Sequence, residues 1–390
     1  MFTKNVIFKN FNKKKSYKNY KILENLIKNK SLINKYPILN SLTKKFQYSY
    51  QKKNINSFKS YSDVNLIGMG GSILGAEAIH DFLRHKVKKN FLFFNNLKFQ
   101  YMPKNNRKKI NLVISKSGNT LETVSNFNLL LQKQKKNKNV ILCEKKNNFL
   151  SLLGKKLKSE IFEHKNYIGG RYSVLSETGM LPAELMGLNE KKFKRFNYLI
   201  KNKNFINHLI RNVVSIFNHI KNGKTNSVIL NYDEKSDNLF RWYQQLTAES
   251  LGKEGKGIFP IISSMPKDNH SLLQLYLDGP KNNFYTFFSV REKNSQKLNN
   301  SNLFDKFSIL KNKNIYKVLD SQKKATENIF IKKKIPFRSF EIINRSEETL
   351  GELFCFFILE TILLGYLLKV NPFDQPKVEL IKNETRKILI

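Results

Sequence analysis

Cysteine is scarce: two residues in 390 exclude a disulfide framework and a four-thiolate zinc site. Cys143 and Cys355 both sit in apolar runs, which fits buried, reduced thiols and a cytoplasmic protein. Histidine is nearly as rare, with six residues and no histidine or cysteine pair at ligand spacing, so no metal site is expected. Long apolar runs are also lacking. The longest, Leu353–Leu368, is broken by Glu360 and falls short of the ~20 residues a bilayer span needs, so it reads as a core helix. The stretch Met1–Asn19 is basic and too polar for the apolar centre of a signal peptide. No membrane partner follows from either segment.

Acidic residues are few: 30 against 70 lysines and arginines, a formal charge of +40. An excess of that size raises nucleic acid as a partner. The charge, however, is spread through Lys/Asn-rich stretches such as Lys133–Asn139, Lys201–Asn204 and Lys311–Asn314, and no recognition module accompanies it. No nucleic-acid partner is expected. A field of this sign would still steer an anionic substrate. Forty per cent hydrophobic and 12% aromatic residues are enough for a packed core, and the length suits two or three domains.

Short apolar strands alternate twice with helix-like segments. The first round places strands at Val64–Gly68, Phe91–Phe94, Leu112–Ser115 and Val140–Cys143, with helices at Ile73–Leu83 and Leu121–Gln132. Tyr198–Lys221 then reads as helix. The second round has strands at Ser227–Asn231, Ile258–Ile262 and Phe284–Val290, with helices at Leu239–Leu251 and Ser271–Leu277. Beyond the polar stretch Lys293–Asn314 the chain reads as mostly helical, at Leu350–Leu368 and from about Val378. The expected organisation is an N-terminal helical segment (1–55), two α/β domains (56–195 and 196–335) and C-terminal helices (336–390). Each α/β domain is a parallel sheet covered on both faces, with ligand sites at strand carboxyl ends.

The loops at those ends carry the chemistry. Ser115-Lys116-Ser117-Gly118-Asn119-Thr120 joins a strand to a helix N-terminus, where hydroxyls, backbone N–H groups and the helix dipole converge on an anion. An ordinary turn capped by Thr120 uses the same residue types. Gly68-Met69-Gly70-Gly71-Ser72 also follows a strand, but Ile73 breaks the G-x-G-x-x-G spacing and no acidic residue ends the next strand. A dinucleotide site is therefore disfavoured, and close backbone approach to a small ligand, with Ser72 as donor, is preferred. Gly169-Gly170 precedes Arg171, an arginine in a chain where lysine dominates. Glu249 falls in the last turn of a helix, where its carboxylate opposes the dipole. His270 lies near a helix start, and Lys382 lies on the last helix.

Taken in order, the segments GMGGSILG, SKSGNTLET, GGRYSVLS, QLTAESLGKEG, HSLLQ and NPFDQPKVELIK resemble the glucose-6-phosphate isomerase family, of the sugar-isomerase (SIS) fold. The first three are partly shared by other SIS proteins, and the last three are more specific. The resemblance implies two SIS-type parallel-sheet α/β sandwich subdomains with a helical C-terminal segment. It also implies a sugar-phosphate pocket at Gly71, Ser72, Ser115, Ser117 and Thr120, with Gln245 and Gln375 further substrate-binding residues. Glu249 matches the catalytic base, Arg171 the cation near the enediolate, His270 the ring-opening group and Lys382 a further catalytic residue. Glu122 matches an acid that orients the histidine. The family's histidine comes from a neighbouring subunit, which implies a homodimer, and its reaction needs no cofactor. Lys377 departs from the pattern by replacing a glycine. Another SIS sugar-phosphate isomerase, including one that also accepts mannose 6-phosphate, and a non-catalytic sugar-phosphate sensor remain as alternatives.

Overall fold

The computed structural model describes residues 2–11, 17–28, 32–97, 108–133, 137–292, 294–303 and 305–390. The basic stretches at 1–19 and 133–139 and the polar stretch at 293–314 lie partly outside these residues.

The described strands form two five-stranded sheets. Strand β1 (Val6–Lys9) precedes both α/β units. The first sheet contains β2 (Asp63–Ile67), β3 (Asn90–Phe94), β4 (Lys109–Ile114), β5 (Lys138–Cys143) and β6 (Glu160–Glu163), in the order β3-β2-β4-β5-β6. All its pairings are parallel, and every residue of β2 and β4 is buried, as expected of strands covered on both faces. The second sheet contains β7 (Asn226–Asn231), β8 (Phe259–Ser264), β9 (Asn283–Val290) and β10 (Phe337–Ile342). Its order is β1-β10-β9-β7-β8, parallel except for β1, which runs antiparallel to β10 with Val6 opposite Ile342.

Strands β1 and β10 lie within 1–55 and 336–390, the stretches that the sequence reads as mostly helical. Both stretches contribute to the second sheet. The sequence hides β10 because Arg338 and Glu341 interrupt its apolar pattern, yet Arg338 is fully buried. Its guanidinium pairs with Glu360 and bonds Asn212 Oδ1 at 2.8 Å and Thr286 Oγ1 at 2.9 Å.

Glu360 belongs to the helix Glu347–Leu368, which starts at the N-cap Ser346 and ends at Lys369 with φ 55°. At 22 residues it is long and apolar enough to cross a membrane by length and composition, more than the run Leu353–Leu368 indicated. It is longer because residues 347–352, with Glu347, Glu348 and Glu352 among them, extend it at its N-terminal end. It is nevertheless a core helix: all but Glu348, Tyr366 and Leu367 are buried, and it packs against Lys203–Lys221 and Asp237–Leu251. Phe354, Phe356 and Phe357 share one core with Phe2, Phe205, Trp242 and Phe340. The helix Asp237–Leu251 also packs on Leu74–Phe82 of the first unit, so it joins the two sheets.

Candidate active site

In the first sheet the chain leaves β2 for β3 on one side and places β4 on the other. The crevice above the carboxyl ends of β2 and β4 is thus a topological switch point, where open α/β sheets bind ligands. The Gly68–Ser72 and Ser115–Thr120 loops border it. Ser115 Oγ and Thr120 Oγ1 are 2.9 Å apart, and the Asn119 amide donates to Ser117 Oγ at 3.2 Å. The loop is locked from outside by the segment after β5. Phe149 N donates to Asn119 Oδ1 at 2.9 Å, and Leu150 N to the Gly118 carbonyl at 3.0 Å. Gly118 has φ +68°, and a Cβ there would lie 1.9 Å from Asn148 Oδ1, so no other residue fits without rearrangement.

Glycine serves a second purpose where the two halves of the cleft meet. A Cβ on Gly71 would fall 2.2 Å from the Gly170 carbonyl carbon. The loops carrying Ser72 and Arg171 therefore touch backbone to backbone, and Gly71 and Gly170 fix their relative position.

Arg171 is 3% exposed and uses all five of its N–H groups on the protein. Nε donates to Ser250 Oγ at 2.8 Å, and Nη1 to Glu249 Oε2 at 3.2 Å and to Gln375 Oε1. Nη2 donates to the carbonyls of Pro372 at 2.7 Å and Asp374 at 2.9 Å. Five acceptors from two sequence-remote segments are thus gathered on one guanidinium. The other Glu249 oxygen accepts from Gln245 Nε2 at 2.8 Å, one helical turn earlier. These two donors offset the unfavourable end-of-helix position that Glu249 occupies in Asp237–Leu251.

A cleft of about 480 Å³ collects Gly71, Ser72, Ser117, Thr120, Arg171, Gln245, Glu249, Gln375 and Lys382. Ser115 is buried beneath it. Glu122, in the first turn of Leu121–Lys133, and His270 are not part of its lining. His270 is exposed on the short 3-10 turn Lys267–His270 after β8. Lys377 has φ −76° and ψ −21°, a helical conformation open to any residue, so its replacement of glycine strains nothing.

Besides Lys116 and Asn119 of the Ser115–Thr120 loop, the cleft contains residues that sequence reasoning missed: Glu144, Lys146, Asn147 and Asn148. Lys116 Nζ donates to the Asn166 carbonyl at 2.7 Å and stands 3.7 Å from Glu144, whose other oxygen bonds Lys146 at 2.5 Å. Burial pulls the Lys116 amine below the ordinary lysine range, against the pull of Glu144. In a Lys/Asn-rich chain the run Glu144–Asn148 looks like any solvated loop; its place after β5 was the only signal. Among the described residues, no three His, Cys, Asp or Glu side chains gather as a metal would require.

The crystal structure of a glucose-6-phosphate isomerase from Chlamydia trachomatis superimposes with a TM-score of 0.74 over 99% of this chain and 89% of that one, at 16% identity. A likeness at that identity establishes the fold, which is the SIS fold of phosphosugar isomerases. The phosphoglucose isomerase family model matches residues 36–390. A probable glucose-6-phosphate isomerase from Methanococcus maripaludis is 31% identical over 95% of this chain and 87% of its own length. A glucose-6-phosphate isomerase from Mycoplasmopsis pulmonis is 34% identical over 83% of this chain and 82% of its own. The chain belongs to the phosphoglucose isomerase family.

Proposed function

We propose that this chain interconverts glucose 6-phosphate and fructose 6-phosphate, a step of glycolysis and gluconeogenesis, as a cytoplasmic homodimer. The observation that carries the reading is the carboxylate of Glu249, held by Gln245 and Arg171 in the same cleft as the Ser117–Thr120 hydroxyls. The hydroxyl cradle takes the phosphate and orients the sugar, so that remote binding energy serves the reacting carbons.

An aldose becomes a ketose by ring opening followed by transfer of one proton from C2 to C1 and of a second from the C2 oxygen to the C1 oxygen. His270 of a second copy, with Lys382, assists the proton movement that opens the ring. Its exposure on the surface of this chain, away from the cleft, supports that assignment. Glu249 then removes the C2 proton, leaving a cis-enediolate, and returns the proton to C1. Arg171 cannot lose its own proton and stabilises the developing negative charge. Because its five donors are already engaged, the enediolate oxygen must compete with Gln375 Oε1 for Nη1. Glu122 would act only through the incoming histidine.

The test is a coupled assay of the purified protein on fructose 6-phosphate, mannose 6-phosphate and arabinose 5-phosphate. Turnover of fructose 6-phosphate above the others is expected; preference for the pentose phosphate would overturn the hexose assignment.

A further inference from the structure

The helix Val378–Leu389 carries Lys382, yet none of its residues is buried. Its apolar side chains Leu380, Ile381 and Ile388 are 62%, 72% and 79% exposed. Lys382 itself bonds Glu379 of the same helix at 2.6 Å, which fixes nothing relative to the cleft. Packing therefore does not place this helix. The turn before it does.

That turn, Asn371–Asp374, is gripped by two cations. Arg171 takes the carbonyls of Pro372 and Asp374. Lys253 Nζ donates to the Asn371 carbonyl and to Asp374 Oδ1, the latter at 2.5 Å. Asn371 Nδ2 holds the remaining carboxylate oxygen at 3.0 Å, and Phe373 rests against Tyr172 and Tyr36. Lys253 stands two residues beyond the end of the helix that presents Glu249. Its amide donates to the Leu251 carbonyl at 2.9 Å, and its backbone pairs with Lys256 across a tight turn at Glu254 and Gly255. One end of the contact is therefore continuous with the base, and the other immediately precedes Gln375.

We propose that Lys253 and Asp374 form a latch that sets Gln375 and Lys382 over the cleft, acting as positioning residues for the isomerisation proposed above. The Asp374 side chain is half exposed, and an ion pair so open to solvent contributes little to global stability. Its effect falls on geometry, where misplacement of a reacting group by about 1 Å costs up to ~100-fold in rate. The inference rests on the isomerase reading for its kinetic arm alone.

Asp374→Asn and Lys253→Met are compared with wild type in fructose 6-phosphate turnover and in amide hydrogen exchange. Both variants should lose kcat by roughly 10- to 100-fold. KM should stay within about threefold, because the phosphate cradle is untouched. Exchange should accelerate over Val378–Leu389 and nowhere in the sheets. Retained kcat, unchanged exchange in that helix, or faster exchange throughout the molecule would each overturn the latch. Should wild type convert no sugar phosphate, the isomerase reading fails, and exchange at Val378–Leu389 alone decides the latch.

Discussion

Arg171 shows how one side chain can organise a site assembled from three parts of a chain. Its five donors tie its own loop to the Glu249 helix and to the Pro372–Gln375 turn. A lysine has three donors around a point charge and cannot reproduce that fork. Behind the same loop lies a second buried cation. Lys194 Nζ donates to the carbonyls of Ser41 and Leu175 and sits 4.9 and 5.0 Å from the rings of Phe46 and Tyr48. Burial pulls its amine down to about 7, outweighing the opposing pull of Glu177. In the unfolded chain that amine keeps its proton up to the ordinary lysine value of 10.5. Between these two pH values the unfolded state holds the extra proton, so this group makes stability rise with pH. Urea unfolding at a series of pH values should show that rise in wild type and a flatter profile in Lys194→Met; parallel profiles would refute the assignment.

Among the secondary-structure elements, the pair formed by β10 and the helix Glu347–Leu368 is the most informative. Glu360 looks in sequence like a defect in an apolar run, and Arg338 like a reason to reject a strand. In the fold each explains the other: the pair is buried, with Tyr243 OH and Asn212 completing its hydrogen bonds. Arg338→Met leaves an uncompensated carboxylate and should cost about 3–5 kcal/mol in urea unfolding. The double variant Arg338→Met/Glu360→Leu should recover most of that loss, and equal losses in single and double variants would contradict the account. The inner strands β2, β4 and β9 were legible because burial on two faces makes them largely apolar runs, whereas the inner strand β10 was hidden by its charged residues. Strands β1 and β6 were not, being four-residue edge strands with charged residues. In the site, the loops after β2 and β4 were legible from their glycines and hydroxyls, whereas Glu144–Asn148 was lost in the surrounding lysine and asparagine.

For the molecule as a whole, the two sheets are bridged by the helix Asp237–Leu251, which brings Glu249 from the second unit to a cleft built by the first. His270 stays outside that cleft, on the surface. In the homodimer proposed above a second copy of the chain supplies it, and that proposal has a direct consequence for mixtures of inactive variants. Refolding Glu249→Gln with His270→Ala should produce mixed dimers with one intact site, restoring roughly a quarter of wild-type turnover. No recovery would show that each chain uses its own histidine or none.

The central claim is that Glu249 moves the proton. It is tested most directly by fructose 6-phosphate turnover in Glu249→Gln beside calorimetric binding of the same substrate. The amide keeps the size of the side chain and removes the base. Turnover should fall by about 10²- to 10⁴-fold while binding to the phosphate cradle is largely kept. Near-normal turnover in the variant would contradict the account.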